Sequence, residues 1–132
     1  MGFTFPSAQH ALYVFLDGVV AAGLPIVTYK QLTVDFADTV AVEAAVLISD
    51  FGGTEDFLER TDRIGVDVYA EGDLANRVGQ AISAILLGAD LYVDGVGQFD
   101  TIDAEVLPHP IPYASDRINQ SSAVYRIVSR PN

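Results

Sequence analysis

Apolar residues recur along this chain at two periods, and the alternation between them divides it into elements. Ser7 is a good helix N-cap after Pro6, and Ala8, Leu12, Phe15, Leu16 and Val19 follow at helical spacing until Gly23 and Pro25 stop the run. A first helix is predicted from Ser7 to about Ala22. Ile26 to Val34 mixes β-branched residues with Tyr29 and Leu32, which suggests a short strand and loop before Asp35 to Asp38 interrupt it. Val40 to Ser49 is apolar on both alternating faces except at Glu43, so it is expected to be a well-buried, central strand.

Asp50-Phe51-Gly52-Gly53-Thr54-Glu55-Asp56 reads as a flexible turn. From Arg63 onward, Ile64, Val66, Val68 and Ala70 alternate with Arg63, Gly65, Asp67 and Tyr69, the period of a strand with one buried face. Two strands joined by a long hairpin follow from this. Asp73 is placed to cap a second helix in which Leu74, Val78, Ala81, Ile82, Ile85 and Leu86 form one apolar stripe, ended by Gly88. Leu91 to Val96 and Ile102 to Leu107 read as strands about Asp94-Gly95 and Gly97, after which Pro108, Pro110 and Pro112 argue for a loop. Ser122 to Ser129 is a β-rich closing strand. The order predicts a single α+β domain over residues 1–132, with two helices packed on one face of a mostly antiparallel β-sheet and the other face left for another chain.

Composition narrows the function classes. Half of the 132 residues are apolar and 19% are charged, enough for a packed core and against disorder. Eighteen acidic residues face seven basic ones, a net charge of −11 that repels phosphate backbones and argues against DNA as a ligand. The absence of cysteine removes disulfides, thiolate metal sites and thiol nucleophiles, and it fits synthesis in a reducing cytoplasm. No secretory signal or segment of membrane-spanning length is read, so a soluble protein is expected and Asn119-Gln120-Ser121 is a chance glycosylation pattern.

Candidate chemistry is sparse. His10 and His109 lack metal-ligand spacing, no serine stands in a G-x-S-x-G elbow, and Gly95-Val96-Gly97 is too short for a phosphate fingerprint. Asp90, Asp94, Asp100, Asp103 and Glu105 lack the ladder of a calcium loop, so a solvated acidic edge is the plainer reading. No catalytic, cofactor or metal site is therefore assigned. Two features remain. Seven carboxylates and no positive charge lie between Asp35 and Glu59, and Glu55, Asp56 and Glu59 crowd the predicted hairpin tip. Such runs are usually just solvated; the sharper expectation is that copies of this tip line a channel through which DNA moves without sticking. Phe51, Phe57 and Leu58 at the same tip, with Phe3 and Phe5 near the N-terminus, are either packed on their own domain or are subunit-interface anchors.

In this order the elements resemble the tail-terminator proteins of long-tailed bacteriophages over nearly the whole chain. The resemblance rests on the first helix followed by Pro25-Ile26-Val27-Thr28 and the strand ending Ile48-Ser49-Asp50-Phe51-Gly52-Gly53. It continues through Arg60-Thr61-Asp62-Arg63-Ile64-Gly65-Val66-Asp67-Val68-Tyr69-Ala70, the helix Leu74 to Leu87, and a proline loop with Asp116-Arg117 leading into Ser122-Ala123-Val124-Tyr125-Arg126-Ile127-Val128-Ser129. Tyr29 to Asp35 departs from the more basic, Arg-Pro-rich segment usual in that family. The resemblance implies a non-enzymatic virion protein, made in the host cytoplasm and located at the tail-neck junction. There a homo-hexameric ring caps the tail tube, ends its polymerisation and contacts the head-to-tail connector, while DNA passes through the lumen. The alternatives are another neck, head-completion or tail-tube subunit, or a small hydrolase holding a metal on its acidic clusters.

Overall fold

The structure, a computed structural model, describes residues 4–33, 36–38, 40, 42–56, 58–88, 90–113, 115 and 117–131. Among the described residues two α-helices, α1 (Ala8–Leu16) and α2 (Leu74–Leu86), accompany seven strands: β1 (Val20–Ala21), β2 (Leu24–Tyr29), β3 (Ala44–Glu55), β4 (Arg60–Glu71), β5 (Leu91–Val93), β6 (Gly97–Ile111) and β7 (Ile118–Ser129). The strands form one sheet in the order β1-β2-β3-β4-β7-β6-β5. β2 and β3 run parallel and every other neighbouring pair is antiparallel.

This corrects the α+β expectation of two helices on a mostly antiparallel sheet. Strands take up 52% of the chain and helices 21%, and the seven strands make a mixed sheet curved into a half-barrel. Three local causes account for the difference. First, α1 ends at Leu16, and Val19 and Val20 leave the helix for the sheet. Asp17 is extended, its Oδ1 accepts the Thr28 backbone N–H at 3.1 Å, and Gly18 takes φ +81°. The chain then folds back through Ala22 and Gly23, both at positive φ, into the small β1–β2 hairpin.

Second, Asp50 to Glu55 is not a turn but the outer half of β3, paired to β4 as far as Glu55↔Arg60 across an irregularity between Asp50 and Gly53. The reversal lies at Asp56 to Glu59. Third, β6 continues through Pro108 and Pro110, with His109↔Ser122 and Pro110↔Ser121 as partners on β7. Prolines are tolerated because β5 pairs only Gly97 to Phe99 and leaves the rest of that edge without a strand, and because the register shifts between Val106 and His109. The central strand is β4 rather than the Val40–Ser49 segment.

The predicted periodicity of β4 survives these corrections. Ile64, Val66, Val68 and Ala70 point inward with Val46 and Ile48 of β3 and Ala123, Tyr125 and Ile127 of β7. Leu12 and Leu16 of α1 and Val78, Ile82 and Leu86 of α2 complete the same buried cluster. Gly79 lets α2 approach the sheet, since a Cβ there would meet Ser121 Oγ at 2.9 Å and Pro108 Cβ at 3.3 Å.

The Ala22-Gly23 turn carries a prediction. Ala22 sits at φ +50° and is exposed, whereas two-residue hairpin turns of this kind favour Asn-Gly. Ala22→Asn is expected to raise stability by about 1 kcal/mol, read as a higher urea midpoint with an unchanged slope.

Candidate functional site

The far end of the β3–β4 hairpin is exposed over its described residues. Asp50 to Asp56, Leu58 and Glu59 are all exposed, while the strands behind them are mostly buried. The tip is nonetheless ordered by its own bonds. Asp56 N–H donates to the Glu59 carbonyl at 2.9 Å, and Asp56 Oδ1 accepts the backbone N–H groups of Leu58 and Glu59 at 2.8 and 2.9 Å. Those two N–H donors, Glu59 first, hold the Asp56 carboxyl below the usual aspartate range.

The structure brings Glu55, Asp56 and Glu59 together, around a hollow of about 120 Å³ shared with Thr54 and Thr61. Two of the three work inside the hairpin: Asp56 closes the turn, and Glu55 lies 3.4 Å from Arg60 Nη1. Arg60 also reaches Asp62 through Nε at 2.9 Å. Asp62 is buried, and burial lifts its carboxyl above the usual value against the opposing pull of Arg60. Among the described residues no group of three or more His, Asp or Glu side chains is placed to hold a metal ion.

The apolar candidates are divided. Leu58 is 64% exposed at the tip and Phe51 is 52% exposed on β3. The Phe51 ring rests on its own sheet, over Gly65, where an added Cβ would come within 2.5 Å of it. Phe5 is half-buried ahead of α1, on a different element, and Phe3 and Phe57 lie outside the described residues. The histidines are also apart. His10 accepts from Lys30 Nζ at 2.9 Å and stacks on Tyr13, while His109 Nδ1 contacts the Leu107 carbonyl at 3.0 Å.

The outer face of the sheet is covered unevenly. At one end Tyr69 is sandwiched edge-on by Phe36 and Tyr113 at 5.4 and 5.3 Å, and burial together with the Asp67 charge pushes its hydroxyl up to about 12. Beside it the Ser122 hydroxyl donates to Asp67. Further along, Arg63 grips Glu105 with Nε at 3.0 Å and Nη2 at 2.7 Å, across the intervening β7. That guanidinium holds the Glu105 carboxyl below the usual range.

The sign of the resulting pH effect follows. A depressed carboxyl stabilises the fold above its ordinary pKa and loses that contribution as pH falls through its folded value. Glu105→Gln is therefore expected to lower the urea midpoint at pH 7, with the difference from the parent protein shrinking as the pH is lowered into the acid range.

Sequence reading missed one feature, a cleft of about 660 Å³ at the opposite end of β4. One wall is Pro110, Ile111, Pro112 and Tyr113, and the other is the start of α2 at Gly72 to Asn76, with Asn119 and Gln120 between. Asp73 stands at the N-cap of that helix, and its side chain makes no capping hydrogen bond. The cue available in the sequence is the proline run, whose pairing to β7 is a long-range event.

Among the described residues no helix is long and apolar enough to cross a membrane. Comparison with protein-family models finds no match to this chain, and neither does comparison with curated proteins.

Proposed function

We propose that this chain is a structural ring subunit of a long-tailed bacteriophage, placed at the tail-neck junction, where it caps the tail tube and meets the head-to-tail connector. The observation that carries this reading is the projecting β3–β4 hairpin. Its described end residues are exposed, the Asp56 side chain bonds the backbone of Leu58 and Glu59, and an apolar Leu58 stands there among carboxylates. A pre-shaped apolar knob rimmed by charge suits a protein interface, because little ordering entropy remains to be lost on contact. The order of elements that resembles tail terminators adds to this reading. So does the scarcity of poised chemistry: the imidazoles of the two histidines are engaged with Lys30 and the Leu107 carbonyl.

The ring would offer one surface to the tail tube and another to the connector, and DNA would move through its lumen without specific binding. With Asp56 committed to the turn and Glu55 to Arg60, the tip is better suited to gripping protein than to repelling DNA as free charge.

The test is a mass measurement of the purified protein at several concentrations, with and without tail tubes, paired with electron microscopy of virions. A hexameric species and density for this chain between capsid and tail are expected. A protein that stays monomeric under all these conditions, or that is missing from the junction, overturns the proposal.

A further inference from the structure

We infer that Asp94-Gly95, in the turn between β5 and β6, is a site of spontaneous covalent modification, where the folded protein converts aspartate to isoaspartate through a succinimide. The inference is independent of the ring reading.

The chain has two Asp-Gly pairs, Asp17-Gly18 and Asp94-Gly95. A glycine after aspartate carries no side chain to shield its own nitrogen, so its backbone N–H can reach the neighbouring carboxyl. In exposure and backbone the two pairs are matched: all four residues are exposed, and the glycines take φ +81° and +77°. They differ in their hydrogen bonds. Asp17 Oδ1 accepts the Thr28 N–H at 3.1 Å, and the Gly18 N–H donates to the Ile26 carbonyl at 2.8 Å, so β2 holds both the carboxyl and the nitrogen that would attack it. Among the described residues neither the Asp94 carboxyl nor the Gly95 N–H has a hydrogen bond or an ion pair. Their turn is closed one residue further on, by Val96 N–H donating to the Val93 carbonyl at 3.0 Å. An added Cβ on Gly95 would meet nothing within 4 Å, which leaves room for the ring to form.

In the first step the Gly95 nitrogen attacks Cγ of the protonated Asp94 side chain. The N–Cγ bond forms, the bond from Cγ to the hydroxyl oxygen breaks, and that hydroxyl leaves as water with the proton from nitrogen. Water then adds to either imide carbonyl. Breaking the N–Cγ bond restores aspartate, whereas breaking the bond from nitrogen to the Asp94 main-chain carbonyl carbon gives isoaspartate and frees the α-carboxylate. Nothing is oxidised or reduced, and water is the only co-reactant. The product carries an extra methylene carbon in the main chain of a turn beside β5, which pairs with β6 only from Leu91 to Val93. The loss of turn geometry falls on that short strand, whose Leu91 and Val93 are buried.

The test is prolonged incubation of the intact protein at mildly acidic pH, where a carboxyl is partly protonated, followed by peptide mapping. A peptide of unchanged mass is expected that resists cleavage before Asp94 by an aspartate-directed protease and accepts a methyl group from S-adenosylmethionine through an isoaspartyl methyltransferase. Isomer at Asp94 is expected to accumulate at least about tenfold faster than at Asp17, whose pair reacts only after two hydrogen bonds open. In urea the two rates are expected to converge. Asp94→Asn gives a second readout at neutral pH, because its amide leaves as ammonia and the whole protein gains the mass difference between amide and acid. Equal rates at the two pairs in the folded protein overturn the inference, since the hydrogen bonds would then decide nothing. An Asp94 that reacts only in urea, or an Asp94→Asn protein of constant mass, overturns it as well, by showing that the turn itself holds the pair out of reach.

Discussion

Gly53→Ala is expected to lower the unfolding free energy by about 3 kcal/mol, a fall of roughly 10 °C in melting temperature. A Cβ at this position would lie 1.8 Å from the Thr61 carbonyl oxygen and 2.8 Å from its carbon. Both are backbone atoms of the paired strand, so no side-chain rotation relieves the clash and the two strands must part where Gly53 meets Asp62. The consequence extends to the tip, because the hairpin beyond Gly53 depends on that pairing. Gly52→Ala is the control. Gly52 is at φ +80° with nothing within 4 Å of an added Cβ, so its substitution carries backbone strain alone, about 1 kcal/mol. Urea denaturation of both variants decides the matter: a Gly53→Ala protein as stable as Gly52→Ala would show that the strands accommodate the methyl group.

Gly79→Val is expected to cost about 3 kcal/mol, although it replaces glycine within a helix. Any side chain but proline's gains helix propensity over glycine here, up to about 1 kcal/mol for alanine. That gain is set against close contact with Ser121 Oγ and Pro108 Cβ, the two points where α2 sits on β7 and β6. The Ser121 hydroxyl is held by Asn76, and Pro108 cannot rotate away. Alanine brings only the one atom, so the two effects nearly cancel, and Gly79→Ala should stay within about 1 kcal/mol of the parent. Valine adds two methyl groups to a space already closed. Thermal melts of the pair test this, and a Gly79→Val protein that melts with the parent would mean that the helix slides along the sheet.

The local elements with a one-sided pattern were legible in the residues. The stripe from Leu74 to Leu86 gives α2, the Ser7 hydroxyl caps α1 by accepting the His10 N–H at 3.2 Å, and the inward set Ile64, Val66, Val68 and Ala70 faces the core. Each depends on contacts within a few residues or on which side chains avoid water. The acidic cluster was legible too, since Glu55, Asp56 and Glu59 are near neighbours in the chain. The roles inside it were not: Asp56 reads as one more carboxylate until its two backbone donors are seen, and Arg60 lies beyond the run that looked free of positive charge.

The pattern of apolar and polar residues therefore determined the start of the first helix, the second helix, the alternating face of β4, the closing strand and the presence of an exposed, acidic hairpin. Tertiary structure alone decided that β2 runs parallel to β3, that β6 continues through two prolines, and that the cleft stands at the far end of β4 from the tip. The physical reason is range. Side-chain periodicity reports how one segment meets water, whereas strand direction, register and the distance between two surfaces arise from hydrogen bonds between residues tens of positions apart, which no local pattern encodes.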